Sequence, residues 1–217
     1  MHRPQRYFVG LDLGQASDFT ALAVLEQTFV PDPDKPGAHL RHYACRHLER
    51  LALGTAYTAV SARLRVLVNT GSLRGSTLVV DQTGVGRAVV DLLRAARLPV
   101  QLRAVTITGG HATTLGTDGS LHVPKKELVG ALQVLLQARR LKVAQALPEA
   151  RILQRELLNF QVKLTAAAHE TFGTWRQGQH DDLVLAVALA AWCGERAAVA
   201  RAPSVLTPGA HLSRPYG

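Results

Sequence analysis

Residues 180–198 constrain the fold of this chain more than any other segment. After Asp181 and Asp182, the chain consists of leucine, valine, alanine, tryptophan and cysteine as far as Gly194. A helix that is apolar on all sides has to be buried among other elements. Its uncharged part is shorter than the roughly 18 apolar residues that a membrane span needs. The sequence therefore predicts a helix inside a globular core, with no membrane segment.

The rest of the chain predicts an α/β fold. Short apolar runs between turn residues predict strands near residues 7–13, 20–29 and 39–47, arranged as an antiparallel meander. Apolar residues then recur at helical spacing over 57–68. A strand, a helix and another strand follow between residues 76 and 107, which is typical of a parallel unit. With 217 residues, we predict one domain over residues 1–200 and a disordered tail over 201–217.

Charge and cysteine content indicate the kind of partner and the cellular compartment. The chain has 25 Lys and Arg residues against 16 Asp and Glu, a formal charge of +9, which favours a polyanionic partner such as nucleic acid. The two cysteines, Cys45 and Cys193, are far apart in the sequence and form no C-x-x-C pair. A disulfide framework and a cysteine zinc cluster are therefore not expected, and we predict a cytoplasmic protein.

Three acidic positions stand where sheet architecture makes them costly. Asp12 ends the first apolar strand, Asp81 ends the strand near 76–81, and the pair Asp181 and Asp182 opens the apolar helix. Buried carboxylates that lie close together need a compensating cation. Oxygen donors without cysteine favour Mg²⁺ or Mn²⁺. Each acid also has a structural alternative, because aspartates commonly form turns and cap helices.

Five stretches together resemble the C-terminal nuclease domain of tailed-bacteriophage terminase large subunits, over about residues 6–195. The most specific is the last, in which a histidine and two aspartates precede an Ala- and Leu-rich helix. The stretches are 8–21 (FVGLDLGQASDFTA), 79–86 (VVDQTGVG), 123–129 (VPKKELV), 156–160 (ELLNF) and 178–190 (GQHDDLVLAVALA).

The resemblance implies a ribonuclease H-like fold, with a central mixed sheet of about five strands flanked by helices, as in retroviral integrases. It also implies an endonuclease that hydrolyses phosphodiester bonds of concatemeric double-stranded DNA during genome packaging. Two Mg²⁺ or Mn²⁺ ions would lie between Asp12, Asp81 and the pair Asp181 and Asp182, with Asp12 bridging them in a two-metal mechanism. Which member of the pair is the nearer ligand stays open. Relatives often carry a further acid where this chain has Leu185.

Basic side chains are candidate contacts for the DNA backbone. His180 is a candidate for orienting an aspartate or contacting a phosphate, with an exposed turn histidine as the alternative. For the other candidates the alternative is a solvated surface. They are Lys125, Lys126, Arg139, Arg140, Lys163 and Arg176.

The resemblance also implies partners. Complete terminase large subunits resemble an ATPase motor followed by a nuclease, and this sequence has no G-x-x-x-x-G-K-[ST] motif. We therefore expect double-stranded DNA as substrate, and a separate terminase ATPase motor, a small terminase subunit and a portal as possible partners in a bacterial host cytoplasm. Whether the chain is an excised domain or a separate gene product stays open.

Other functions stay open at this point. A nuclease similar to Holliday-junction resolvases would use the same fold and metals on branched DNA. Asp12 and Asp81 with the glycines after them also resemble the phosphate loops of actin-like and sugar-kinase ATPases, but one such sheet leaves no second half to close around ATP. A DNA-binding module without catalysis is the third alternative.

Overall fold

The computed structural model describes residues 5–14, 18–84, 87–159 and 181–198, and the backbone of 161–164 and 170–173. Within these ranges the chain forms ten strands and five α-helices. The strands are β1 (Arg6–Asp12), β2 (Ala21–Pro31), β3 (His39–Arg50), β4 (Thr77–Asp81), β5 (Gln101–Thr108), β6 (Thr114–Leu115), β7 (Leu121–Pro124), β8 (Leu141–Val143), β9 (Gln161–Leu164) and β10 (Glu170–Gly173); the helices are α1 (Tyr57–Val68), α2 (Arg87–Ala95), α3 (Lys125–Gln137), α4 (Ala150–Asn159) and α5 (Asp182–Arg196).

Eight of these strands form one mixed sheet in the order β6-β7-β5-β4-β1-β2-β3-β8. The first three strands along the chain pair antiparallel, which confirms the predicted meander. β4 joins β1 in parallel, and β5 joins β4 in parallel. The predicted mixed sheet is confirmed, and three short strands at its edges, β6, β7 and β8, enlarge it beyond five. Two further strands, β9 and β10, pair antiparallel in a separate sheet.

The sheet separates two layers of helices. Along β1, Val9 and Leu11 pack with α1 and α2 on one face. Phe8 packs on the other face with α3, α4 and α5. Because side chains alternate along a strand, Gly10 and Asp12 lie on the same face as Phe8. The last residue of β1 is thereby directed towards the layer that contains α5.

Helix α5 lies directly on β1 and is buried almost throughout, as its composition predicts. A Cβ atom at Gly10 would lie 1.9 Å from the carbonyl oxygen of Ala186, so only glycine permits this approach. In the part of the chain that the structure describes, no helix combines the length and apolarity needed to cross a bilayer. The predicted tail over 201–217 lies outside the described residues.

Candidate active site

Asp12 and Asp81 meet at one end of the sheet. β1 and β4 run parallel and their last residues, Asp12 and Asp81, are register partners. Val79 of β4 belongs to the core on the α5 side, so the alternation along β4 directs Asp81 to the same face as Asp12. Both are buried, with 8% and 6% of their surface exposed. After burial itself, the charge of Asp81 is the largest influence that raises the pKa of Asp12.

Asp81 also forms the turn that its structural alternative predicts. Its Oδ1 accepts a hydrogen bond of 2.8 Å from the backbone N–H of Thr83. This bond fixes the orientation of the Asp81 carboxylate relative to the turn that follows β4. The turn leaves Asp81 in register with Asp12, so the structural interpretation of Asp81 does not exclude a chemical one.

Asp181 and Asp182, at the start of α5, have different surroundings. Asp181 occupies the N-cap position, but its side chain makes no capping hydrogen bond. Its Oδ2 instead accepts a 3.1 Å bond from Nζ of Lys125. Asp182 is buried, and only 4% of its surface is exposed. The N–H of Val184 in the first helical turn donates to Glu156 of α4 at 3.1 Å, so Glu156 provides the cap.

Two residues that the sequence analysis did not assign, Arg50 and Glu156, complete the surroundings of Asp182. Arg50, the last residue of β3, forms an ion pair with Glu156. One of its nitrogens also lies 3.4 Å from Oδ2 of Asp182. The guanidinium is centred 4.6 Å above the ring of Phe19. Glu156 belongs to one of the stretches that carry the resemblance, but no local signal distinguishes Arg50 from the other arginines.

Burial and mutual repulsion set the protonation of this cluster. Burial, and after it the charges of Asp81, Asp182 and Asp181, raise the pKa of Asp12 well above its usual range, while Lys125 opposes them. Burial also raises the pKa of Asp81, and it raises that of Glu156 to about 7 despite the nearby Arg50. Such shifts mean that the cluster holds less positive charge than its carboxylates require.

The donor chemistry of the cluster suits a hard divalent cation. Its carboxylate oxygens are the ligands that Mg²⁺ and Mn²⁺ prefer, and a cation would relieve the repulsion that raises the pKa of Asp12. In their present conformations, no three His, Cys, Asp or Glu side chains among the described residues are arranged to hold an ion. The ion pairs with Lys125 and Arg50 direct Asp181 and Asp182 towards cationic side chains, so a shared ion would require these two aspartates to turn.

The candidate DNA contacts are spread over the molecule. Lys125 lies at the acidic cluster, and Nζ of Lys126 lies 3.0 Å from Nδ1 of His111. Arg139 is exposed. Arg140 donates to Glu195 and to the carbonyl oxygen of Arg41, both at 3.0 Å, which ties it to the far end of α5.

The structure does not describe the side chains of three of the predicted DNA contacts. Lys163 lies on β9, where the structure describes the backbone alone. Arg176 and His180 lie outside the described residues. Their assignment as DNA contacts stays a prediction from the sequence.

The fold is similar to that of solved protein structures. No protein-family model matches the sequence, and no curated protein matches it. Among solved structures, the chain is similar to the large terminase nuclease from thermophilic phage G20c, with 25% identity, a TM-score of 0.59, and coverage of 87% of this chain and 83% of that one. A structure of the same nuclease with bound magnesium gives 26% identity, a TM-score of 0.58, and coverage of 87% and 82%.

A larger neighbour gives the same fold. The HK97 bacteriophage large terminase shares 15% identity at a TM-score of 0.53, over 89% of this chain and 40% of its own length. The predicted α/β architecture, with a ribonuclease H-like mixed sheet flanked by helices, is therefore confirmed. The resemblance to large terminase nuclease domains is confirmed as a similarity of structure over most of the chain.

Proposed function

We propose that this chain is a divalent-metal-dependent endonuclease that hydrolyses phosphodiester bonds of double-stranded DNA. The observation that supports it most directly is the pairing in register of the buried Asp12 and Asp81 at one end of the sheet, where Asp182 and Asp181 also act on the pKa of Asp12. The similarity to a large terminase nuclease, one structure of which contains bound magnesium, gives this acidic cluster its chemical class.

Within this proposal, Asp12, Asp81, Asp181 and Asp182 hold Mg²⁺ or Mn²⁺. When bound, two such ions would activate water, polarise the scissile phosphate and stabilise the leaving oxygen. The register pairing of Asp12 and Asp81 supports their part in this set. Asp181 and Asp182 would join them after turning away from Lys125 and Arg50. Lys125, which pairs with Asp181, would contact a DNA phosphate, as the sequence analysis predicts.

The biological setting belongs to the same proposal. A chain with this fold would cut concatemeric phage DNA during packaging, together with a terminase ATPase motor, a small subunit and a portal. The similarity to the HK97 large terminase over 40% of that chain supports a nuclease part within a larger machine. The host cytoplasm is where such a machine would meet DNA.

A plasmid cleavage assay tests the activity. The purified chain is incubated with supercoiled plasmid and either Mn²⁺, Mg²⁺, or Mn²⁺ with excess chelator. We expect nicked and linear products with either metal and none with the chelator. Asp12→Asn and Asp81→Asn are expected to abolish cleavage, because each removes a charged oxygen donor at nearly constant volume.

Asp91→Asn is the matched control. Asp91 lies on the surface of α2, paired with Arg94, and its substitution makes the same chemical change away from the cluster. Cleavage by the Asp81→Asn protein at the rate of the Asp91→Asn protein would refute the proposed site. A four-way DNA junction cut in preference to linear duplex would redirect the proposal towards branched DNA.

A further inference from the structure

A second charged feature lies at the opposite end of the sheet. A cavity of about 350 Å³ opens where β1, β4 and β5 begin. Ala197 and Ala198, which follow α5, also line it. Arg6, Arg74 and Arg103 all line it. No lining residue is acidic.

Two of the arginines are placed at the cavity by their contacts. Arg6 donates a 2.6 Å hydrogen bond to the carbonyl oxygen of Ala198, which also lines the cavity. Arg103 and Cys193 both line the cavity. Burial raises the pKa of the Cys193 thiol to about 11, and the charge of Arg103 opposes that rise. The positive charges therefore gather at one concavity.

The cavity wall also contains a hydroxyl without a partner. Ser76 is 5% exposed, and its Oγ forms no hydrogen bond within the described part of the structure. Buried polar groups in folded proteins nearly always have a partner. The Oγ atom has less than 1 Å² of exposed surface, so a ligand oxygen would reach it only after the side chain turns about its Cα–Cβ bond.

We infer that this cavity binds a phosphate group. Arginine presents a planar fork of N–H donors that matches phosphate oxygens, and neighbouring Thr77 and Gln101 add uncharged polar groups. The volume is at the lower end of the range of about 300–1,000 Å³ typical of small-ligand sites. The group could belong to the backbone of a DNA duplex or to a free nucleotide, and both sources present the same chemistry.

This phosphate site is separate from the acidic cluster. Arg6 and Asp12 stand at the two ends of β1, which at about 3.3 Å per residue sets them roughly 20 Å apart. A phosphate at the cavity therefore does not touch the atoms proposed for cleavage. The inference does not depend on the proposed function, because binding can be measured in the presence of a chelator that prevents metal-dependent chemistry.

The test is a binding titration with four probes in a buffer that contains EDTA. The probes are inorganic phosphate, deoxyadenosine 5′-monophosphate, deoxyadenosine as the phosphate-free control, and a short DNA duplex. Amide NMR shifts report the location. We expect saturable shifts at Thr77, Gln101 and Arg103 with the phosphate-bearing probes, and none with deoxyadenosine.

A pair of double variants separates a specific site from general positive charge. Arg74→Ala with Arg103→Ala removes two cavity arginines that are exposed on the surface, whereas Arg94→Ala with Arg155→Ala removes two exposed arginines elsewhere. Both lose the same net charge. We expect the first to weaken phosphate binding at least about tenfold and the second to leave it within about twofold.

Several results would overturn the inference. These are equal affinities in the two double variants, shifts confined to the acidic cluster, or no saturable binding by any probe. Thermal unfolding of both variants distinguishes lost binding from lost folding. A response to the duplex alone would identify DNA as the source of the phosphate, and a response to the monophosphate alone would identify a nucleotide.

Discussion

The two ends of the sheet carry side chains of opposite charge and differ in how deeply those side chains are buried. At the carboxyl ends of β1 and β4, acidic side chains are buried and Arg50 and Lys125 lie among them. At the amino ends of the same strands, arginines surround an open cavity that has no acidic lining. Helix α5, with 15 residues, extends about 22 Å from one end to the other.

The difference shows how burial decides what a charge does. A buried carboxylate cannot be stabilised by water, so its pKa rises and it depends on a cation. An exposed arginine stays hydrated, and salt screens its field. The acidic end should therefore respond strongly to single substitutions, whereas the arginine end should respond in ligand affinity and little in stability.

The largest expected effect lies at the acidic end. Asp81→Asn should lower the rate of plasmid cleavage about a thousandfold or more, because the loss of a metal ligand removes several kcal/mol of transition-state stabilisation. The same variant should unfold at a temperature no lower than the wild-type protein, since it relieves repulsion with Asp12. Cleavage rates and thermal unfolding measured on one preparation test both statements. A variant that loses stability and activity together would indicate a structural role.

The next effect distinguishes the two kinds of arginine. Arg50→Ala leaves the carboxylates of Glu156 and Asp182 buried without their guanidinium, and breaking such a buried pair costs about 3–5 kcal/mol. Urea unfolding should show this loss as a lower midpoint. An unchanged midpoint would mean that Arg50 is solvated and that the acidic end does not need it.

Gly10→Ala tests the contact that brings α5 onto β1. The added methyl group would lie 1.9 Å from the backbone oxygen of Ala186, and neither backbone can yield without moving an element. We expect a loss of about 1–3 kcal/mol in the free energy of unfolding. Gly130→Ala on α3, where the added methyl group meets no atom within 4 Å, is the control and should not destabilise the protein.

Glu156 predicts a pH dependence. Its pKa in the folded protein, about 7, is raised from 4.5, so its protonated form favours folding. Its contribution is complete below pH 4.5 and is lost as the pH rises through 7. Between pH 5 and pH 8 the wild-type protein should lose about 2 kcal/mol relative to Glu156→Gln. Parallel stability curves for the two proteins would contradict this assignment.

The smallest expected effect lies at the arginine end. Arg103 is exposed, and its replacement by alanine should change the free energy of unfolding by less than about 0.5 kcal/mol. The same urea experiment as for Arg50→Ala measures it. A loss comparable to that of Arg50→Ala would show that the cavity is part of the folded scaffold and would weaken its interpretation as a ligand site.

Parts of the site were predictable because they follow from local patterns. Asp12 and Asp81 each end an apolar run, and parallel neighbouring strands bring their carboxyl ends to one edge. Glu156 was not predictable as the cap of α5, because Asp181 precedes the helix at the expected N-cap position. The Asp181 side chain accepts a hydrogen bond from Lys125 and makes no capping bond. That choice of partner depends on the position of α3, which begins at Lys125.

By itself the sequence determined the meander, the parallel unit, the buried last helix and the acids at two strand ends, since each depends on spacing along a short segment. Only the tertiary structure decided that Arg50, Glu156 and Asp182 meet, and that three arginines line one cavity. These contacts join residues distant along the chain, and the packing of α4 and α5 on the sheet sets their distances.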